Sequence, residues 1–135
     1  MHSTIVPCLR YADAPAAIAW LCENFGFVRH AIYPNPDGSI GHAELTLGAG
    51  MIMVSSVLDT PFARYRKEPA EVDQCETQTA YLVVADAETV YAKAKTAGAE
   101  ILLDLKTADY GGSGFSCRDP FGHIWSIGTY DPWRQ

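Results

Sequence analysis

His42 and Glu44 stand two residues apart in the stretch GHAELTL (41–47). In an extended strand this spacing sends both side chains to one face, and Ala43, Leu45 and Leu47 to the other. A carboxylate beside an imidazole can hold the ring as a general base, or the two can offer a pair of donors to a divalent metal. The same pair is equally consistent with a hydrogen-bonded polar couple at a rim or a subunit surface, so both readings stay open. The other histidines stand singly. His2 is in the N-terminal segment, His30 in a short strand next to solvent, and His123 follows a turn and is expected at the surface. Cys8, Cys22, Cys75 and Cys117 are widely scattered, with no C-x-x-C pair. Neither a structural zinc site nor a disulfide framework is expected; reduced, partly buried thiols are.

The elements that must position these groups occur twice. YADA (11–14) precedes PAAIAWLCENFG and VADA (84–87) precedes ETVYAKAKTAG, 73 positions later. In the first half, residues 4–11 form a strand in which Pro7 marks an edge or an early position. Asp13 caps a helix whose first turn holds Pro15. Ile18, Leu21, Cys22 and Phe25 form its apolar face, and Gly26 ends it. Strands follow over 27–33, 39–47 and 51–57, separated by NPDG (35–38) and GAG (48–50). In the second half, Thr79–Val84 is a strand, Asp86 a cap, Val90, Ala94 and Ala97 a helix face, and Gly98 its end. Strands near 100–105, 115–118 and 123–129 surround the glycine-rich YGGSG (110–114) and the turn DPFG (119–122). Each half is β-α-β-β-β. The expected organisation is one domain over 1–135: a first module (1–57), a linker (58–76) and a second module (77–135). Repetition of a whole supersecondary unit points to duplication, with two half-cores completing one another.

Composition narrows the function classes. At 48% hydrophobic and 19% charged residues the chain has the make-up of a soluble globular domain. A net charge of −6, with RYRK (64–67) its one short basic cluster, argues against a nucleic-acid partner. No apolar run has bilayer length, and the N-terminal MHSTIVPCLR lacks the pattern of a signal peptide. No membrane association and a cytoplasmic location are the expectations.

The paired modules, the D-P-F-G turn before the final strand, and the F-G-F ending of the first helix resemble the glyoxalase/bleomycin resistance/extradiol dioxygenase (vicinal oxygen chelate) superfamily. GHAELTLGAGMIMVSS (41–56) and RDPFGHIWSIGTYD (118–131) look most like its PhnB-like branch. The resemblance covers nearly the whole chain except the linker. It implies an α+β fold in which the two modules form a curved mixed sheet around a cup. It also implies a homodimer. In that family a divalent metal is held by one side chain in the first and one in the last strand of each module. Counted from YADA, VADA, GAG and DPFG, these positions are Val6, Met53, Thr79 and Ser126, the two members of each pair again 73 positions from their repeats. An aliphatic chain, a thioether and two neutral hydroxyls do not make a site for a hard cation. Shifting any position by one gives no ligand set either. The resemblance therefore implies a member without the family's metal and with no cofactor, and without the Lewis-acid chemistry that depends on the ion.

Alternation assigns the lining of the cup: Val6, Cys8 and Arg10 from the first strand, Thr79, Tyr81 and Val83 from its repeat. The last strands contribute Met51, Met53 and Ser55, then Ile124, Ser126 and Gly128, joined by Phe115 and Cys117. Trp125 is expected to face a helix. This mostly apolar surface with a phenol and a few hydroxyls suits a small-molecule pocket. Arg10, Met53, Tyr81, Phe115 and Ser126 are the candidate ligand-binding residues, Arg10 as the partner of an anionic group. Plain core packing is the alternative for each. The linker, with its aromatics and arginines over 60–66, either folds across the cup mouth or lies in solvent.

Three functions remain. The first is a metal-free protein that binds a small apolar or aromatic compound, sequestering it as resistance members of the superfamily do. The second is a lyase, isomerase or dioxygenase-type enzyme using the same cup, with a recruited metal or with His42, Glu44 and Tyr81 as acid–base groups. The third is a structural or regulatory homodimer with a vestigial pocket. Whether the chain is an enzyme is left open by its residues.

Overall fold

Asp13 and Asp86 begin the two helices by the same device. In the computed structural model, which describes residues 3–109 and 111–134, Asp13 accepts from the Ala16 N–H at 3.2 Å and Asp86 from the Thr89 N–H at 3.1 Å. Each carboxylate thereby satisfies one of the amides that a helix start leaves without a partner. The Thr89 hydroxyl adds a second bond to Asp86, and the Thr89 side chain and N–H hold that carboxyl below its usual range. The helices run over Ala14–Phe25 (α1) and Ala87–Thr96 (α2). Gly26, at φ 86°, closes α1 in the left-handed conformation that glycine adopts without a Cβ clash. His2 and Tyr110 lie outside the described residues.

Eight strands complete the duplication: β1 (Cys8–Tyr11), β2 (Val28–Pro34), β3 (Ile40–Leu47), β4 (Gly50–Ser56), β5 (Ala80–Val83), β6 (Glu100–Thr107), β7 (Ser113–Arg118) and β8 (Ile124–Gly128). They form two four-stranded mixed sheets, ordered β1-β4-β3-β2 and β5-β8-β7-β6. In each, the first strand pairs parallel to the last and the rest are antiparallel. The chain thus comprises tandem βαβββ modules of an α+β fold, in two compact units that meet in sequence at Glu68 and Pro69. β1 is shorter than the expected 4–11. Pro7 has no N–H to donate, and only its carbonyl joins the ladder, accepting from the Met53 N–H at 2.9 Å.

Each sheet buries one face under its helix. In the first unit Ile18, Leu21 and Phe25 of α1 are buried, as are Tyr11, Ala43, Leu45, Ile52 and Val54 of the strands. Burying a side chain of that size stabilises by about 1.5–3 kcal/mol before entropy is counted. In the second unit Ala87 and Ala94 of α2 are buried together with Leu82, Phe115, Cys117, Trp125 and Ile127. Trp125 faces inward as alternation predicts. Trp133, by contrast, is 92% exposed and packs on nothing.

The second unit is organised around a buried carboxylate. Asp119, 2% exposed, accepts from Trp125 Nε1 at 2.9 Å, the Phe121 N–H at 2.9 Å and the His123 N–H at 3.1 Å. Its own N–H donates to the His123 carbonyl at 2.7 Å. These bonds close the DPFGH turn between β7 and β8. The corresponding turn between β3 and β4 is only Gly48 and Ala49, with Gly48 at φ 56°. Met53 is paired with Glu44, nine positions earlier, whereas Ser126 is paired with Ser116, ten positions earlier. A difference of one residue reverses which side chains of β7 face the helix. Phe115 and Cys117 therefore point inward towards α2; Cys117 is absent from the cleft lining, whereas Phe115 still borders it. Phe115 lies edge-on to Tyr91 of α2, with ring centroids 5.2 Å apart.

The segment 58–76 divides between the units. Two 3-10 turns, Ala63–Tyr65 and Pro69–Glu71, interrupt it. Arg66 donates to the Cys8 carbonyl at 3.1 Å and Glu68 accepts from Arg10 at 2.6 Å, so residues 66–68 are tied to β1. Further on, Glu76 meets His123 Nδ1 at 2.7 Å and the Gln74 carbonyl accepts from Arg118. His123 is thus largely enclosed by that pair, which corrects its expected place at the surface.

Replacing Asp119 with Ala leaves the Trp125 indole N–H and two turn amides without their acceptor. We expect a loss of about 2–4 kcal/mol, read as a lower urea midpoint. Burial pushes the Cys117 thiol up to about 12, with the Asp119 charge as the lesser cause. Cys117 should resist iodoacetamide in the folded protein at pH 8 while the exposed Cys8 and Cys75 react. In the unfolded chain this thiol ionises near its ordinary value of 9.0. Between that pH and about 12 the unfolded state binds fewer protons than the folded one. Cys117's contribution to stability is complete below pH 9 and declines as pH rises through that window.

Candidate functional site

The faces turned away from the helices carry the remaining chemistry, and they differ. On the first sheet, Cys8, Met53 and Glu44 lie side by side across β1, β4 and β3. Two positions back along β3, His42 places Nε2 2.9 Å from Glu44 Oε2. The Tyr33 ring stacks on His42 at 5.9 Å with 26° between the planes. His30, read from the sequence as solitary, has Nε2 3.9 Å from the other Glu44 oxygen. An irregularity in the β2–β3 pairing between Arg29 and Ala31 accompanies this placement. A pairing irregularity is not visible in the alternation of residue types, so nothing in the sequence marks His30. The arrangement is a carboxylate between two imidazoles, able to orient either as a proton acceptor.

Arg10 lies on the same face but its charge is already matched. Its guanidinium meets Glu68 at 2.6 Å with both side chains largely buried, so pairing with a ligand anion would require displacing a carboxylate. Arg66 sits nearby, its pKa lowered chiefly by burial and next by the neighbouring Arg10 charge. Met53 is half-buried in the middle of the sheet. Phe62 and Tyr65 form an exposed aromatic pair, 5.8 Å apart, just before the tied residues 66–68.

The second sheet holds a cleft of about 210 Å³ on its open face. Two rows cross the sheet here, Tyr81, Ser126, Ser116 and Leu103, then Val83, Gly128, Gly114 and Lys106, and all of these except Ser126 and Val83 line the cleft. The Ser116 and Ser126 hydroxyls bond to each other at 2.8 Å. Gly114 and Gly128 are direct partners, giving a strip of bare backbone. Tyr81 covers the Gly128 end of it. A Cβ on Gly128 would lie 2.8 Å from the Tyr81 hydroxyl oxygen, and one on Gly114 would lie 3.0 Å from the Ile127 carbonyl oxygen. Tyr81, 44% exposed, donates to the Tyr130 carbonyl at 2.7 Å and so leans across the strip. At the rim, the Tyr91 hydroxyl and the Leu105 N–H both donate to Asp104 Oδ1. The Tyr91 bond is the main reason the Asp104 carboxyl lies below its usual range.

Of the candidate ligand-binding residues, Tyr81, Ser126 and Phe115 belong to the second unit, Arg10 and Met53 to the first. Tyr81 lines the cleft, and Ser126 adjoins it through Ser116. Phe115 borders the cleft while its ring points to α2. Leu103, Lys106 and Tyr130 also line it and were not apparent from the sequence: the β6 pairing shifts twice, between Ile101 and Leu103 and between Leu103 and Lys106, and Tyr130 follows β8, its carbonyl held by the Tyr81 hydroxyl. The four corner positions retain the chemistry read from their types. Val6 precedes β1, Thr79 is exposed before β5, and Met53 and Ser126 lie in β4 and β8. These residues do not fit a divalent cation. Among the described residues, no group of three or more His, Cys, Asp and Glu side chains is arranged to hold a metal ion.

Comparison with known proteins bears on the whole chain. An uncharacterized protein of Mycobacterium bovis is 29% identical over 128 residues, covering 95% of this chain and 84% of that protein. The crystal structure of TioX from Micromonospora sp. ML1 superposes with a TM-score of 0.72 at 27% identity, covering 93% of this chain and 94% of TioX. A bleomycin-binding protein from Streptomyces verticillus, solved with copper(II)-bleomycin, superposes with a TM-score of 0.60. It shares 17% identity, with 97% and 98% of the two chains covered, and so speaks for the fold alone. A sequence model of one family matches residues 3–127, and with nearly the whole of both modules in that span the chain belongs to the Glyoxalase/Bleomycin resistance protein/Dioxygenase superfamily.

Proposed function

We propose that this protein is a metal-free binding member of the superfamily that takes a small, mainly apolar or aromatic compound on the open face of its second module. The observation that carries this reading is the glycine strip beneath Tyr81. Gly114 and Gly128 leave bare backbone where any side chain would collide, and a half-exposed phenol lies beside it. A flat, rigid surface next to an aromatic ring favours a planar guest, which gains stacking as well as apolar burial. An apolar cavity of about 150 Å³ accepts benzene, so one of this size suits a guest of one or two rings. Tyr81 supplies the ring, Ser116 and Ser126 the hydroxyls, and Leu103 an apolar wall. The donor set at residues 6, 53, 79 and 126 is why we read the binding as independent of a metal. Within the superfamily we assign the chain to the PhnB-like branch, on the phrases at 41–56 and 118–131, and we read it as a cytoplasmic homodimer.

A second reading rests on the 2.9 Å contact between His42 and Glu44. A carboxylate-oriented imidazole flanked by a second histidine is the part of the molecule best suited to proton transfer. Under this reading the protein is an enzyme of the isomerase or lyase type, with the dyad as its base. Glu44→Gln separates the two readings: it leaves affinity at the second module unchanged but removes turnover if the dyad is the base.

A thermal-shift screen of mono- and bicyclic aromatic compounds should yield a saturable rise in melting temperature. A ligand at a hundredfold excess over its Kd stabilises by about 2.7 kcal/mol. Tyr81→Ala should weaken the hit at least about tenfold while the urea midpoint moves little, because the ring is half-exposed. Elemental analysis of protein purified without chelator should find no stoichiometric zinc, manganese, nickel or iron. A screen without hits, or a Tyr81→Ala variant that binds normally, would overturn the reading.

A further inference from the structure

We infer that the guest of the second module's cleft is an anion: a planar aromatic compound bearing a carboxylate or a similar acidic group, held by Lys106. This rests on the binding reading above and adds the chemistry that selects among guests. Among the described residues, two side chains charged at neutral pH line the cleft, Asp104 and Lys106. Asp104 is committed. The Tyr91 hydroxyl and the Leu105 N–H both bond to it, and Lys95 lies over the Tyr91 ring at 5.6 Å, so a cation already offsets the carboxylate on its helix side.

Lys106 is uncommitted. Among the described residues its ammonium group makes no hydrogen bond and no ion pair. It stands directly beside Gly114 in the β6–β7 ladder, at the end of the glycine strip. A ring resting on that strip beside Tyr81 would present a substituent at its far edge to the ammonium group. The hydroxyls of Ser116 and Ser126, bonded to each other, are neutral groups, so the charge at the strip is supplied by Lys106. The net charge of −6 makes the local cation more decisive. An anion approaching this chain is repelled at long range and is retained only where a cation stands next to apolar surface. A charge-assisted hydrogen bond at a partly desolvated rim is stronger than a neutral one.

The test compares 2-naphthoate with its neutral counterpart 2-naphthalenemethanol by isothermal titration calorimetry. Wild-type protein, Lys106→Met, and Lys93→Met as a second cation-to-neutral control should be titrated at low and high salt; Lys93 is exposed on α2 and does not line the cleft. We expect naphthoate to bind about fivefold more tightly than the alcohol at low salt, the size of a partly exposed charge contact. The preference should vanish in Lys106→Met, persist in Lys93→Met and shrink as salt is raised. Equal binding of both probes to the wild type, or a preference that survives Lys106→Met, overturns the charge assignment while leaving the cleft intact. Failure of both probes to bind overturns the cleft reading and this inference together. Circular dichroism of each variant separates a lost preference from a lost fold.

Discussion

The Asp119 carboxylate organises the second module. It accepts from the Trp125 indole and from two amides of its own turn, and it is almost entirely withdrawn from water. Such a group is costly to bury and must be satisfied from several directions at once, so the turn around it has little freedom. That turn fixes the pairing of β7 with β8, and the pairing fixes the face to which each β7 side chain points. Ser116 and Gly114 consequently reach the open face, while Phe115 and Cys117 are sealed against α2. The β7 residues that turn to the cleft floor are thus small, and Tyr81, Leu103 and Tyr130 wall it from the neighbouring segments.

Duplication followed by a one-residue difference accounts for the divergence of the two modules. Both keep the same strand order, the same aspartate caps and the same parallel closure of first strand on last. In the first module the two-residue Gly48-Ala49 turn places Glu44 and His42 on the open face, giving a charged, hydrogen-bonded surface. In the second the longer turn places glycine and serine there. One face is suited to holding a proton, the other to receiving a flat guest. The polar groups of the first face are largely spoken for, Arg10 by Glu68 and Glu44 by His42, whereas the second carries a cleft bordered by the bare backbone of Gly114 and Gly128.

The cysteines follow the same logic of faces. Cys117 is on the helix side, buried and held protonated, and acts as a small apolar residue. Cys8 lies on the opposite side of its sheet, exposed, with its carbonyl bound by Arg66. Similar residue types take different roles because the pleat sends neighbouring positions to environments of different dielectric.

Much of this was legible in the residues. The repeated ADA caps, the apolar stripe from Ile18 to Phe25, the glycine stops and the DPFG turn determined two βαβββ modules, since caps, periodicity and turn chemistry are local properties. The types at Val6, Met53, Thr79 and Ser126 determined that those corners do not suit a divalent ion, because ligand chemistry belongs to the side chain itself. Tertiary structure decided what depends on register and on contacts distant in sequence. It turned Phe115 towards α2, brought His30 to Glu44, enclosed His123 with Glu76, gave Arg10 to Glu68, and set Lys106 beside Gly114. Alternation along a strand tells which residues share a face; only turn length and bulges, acting through the pairing of separate strands, decide which face that is and what stands opposite.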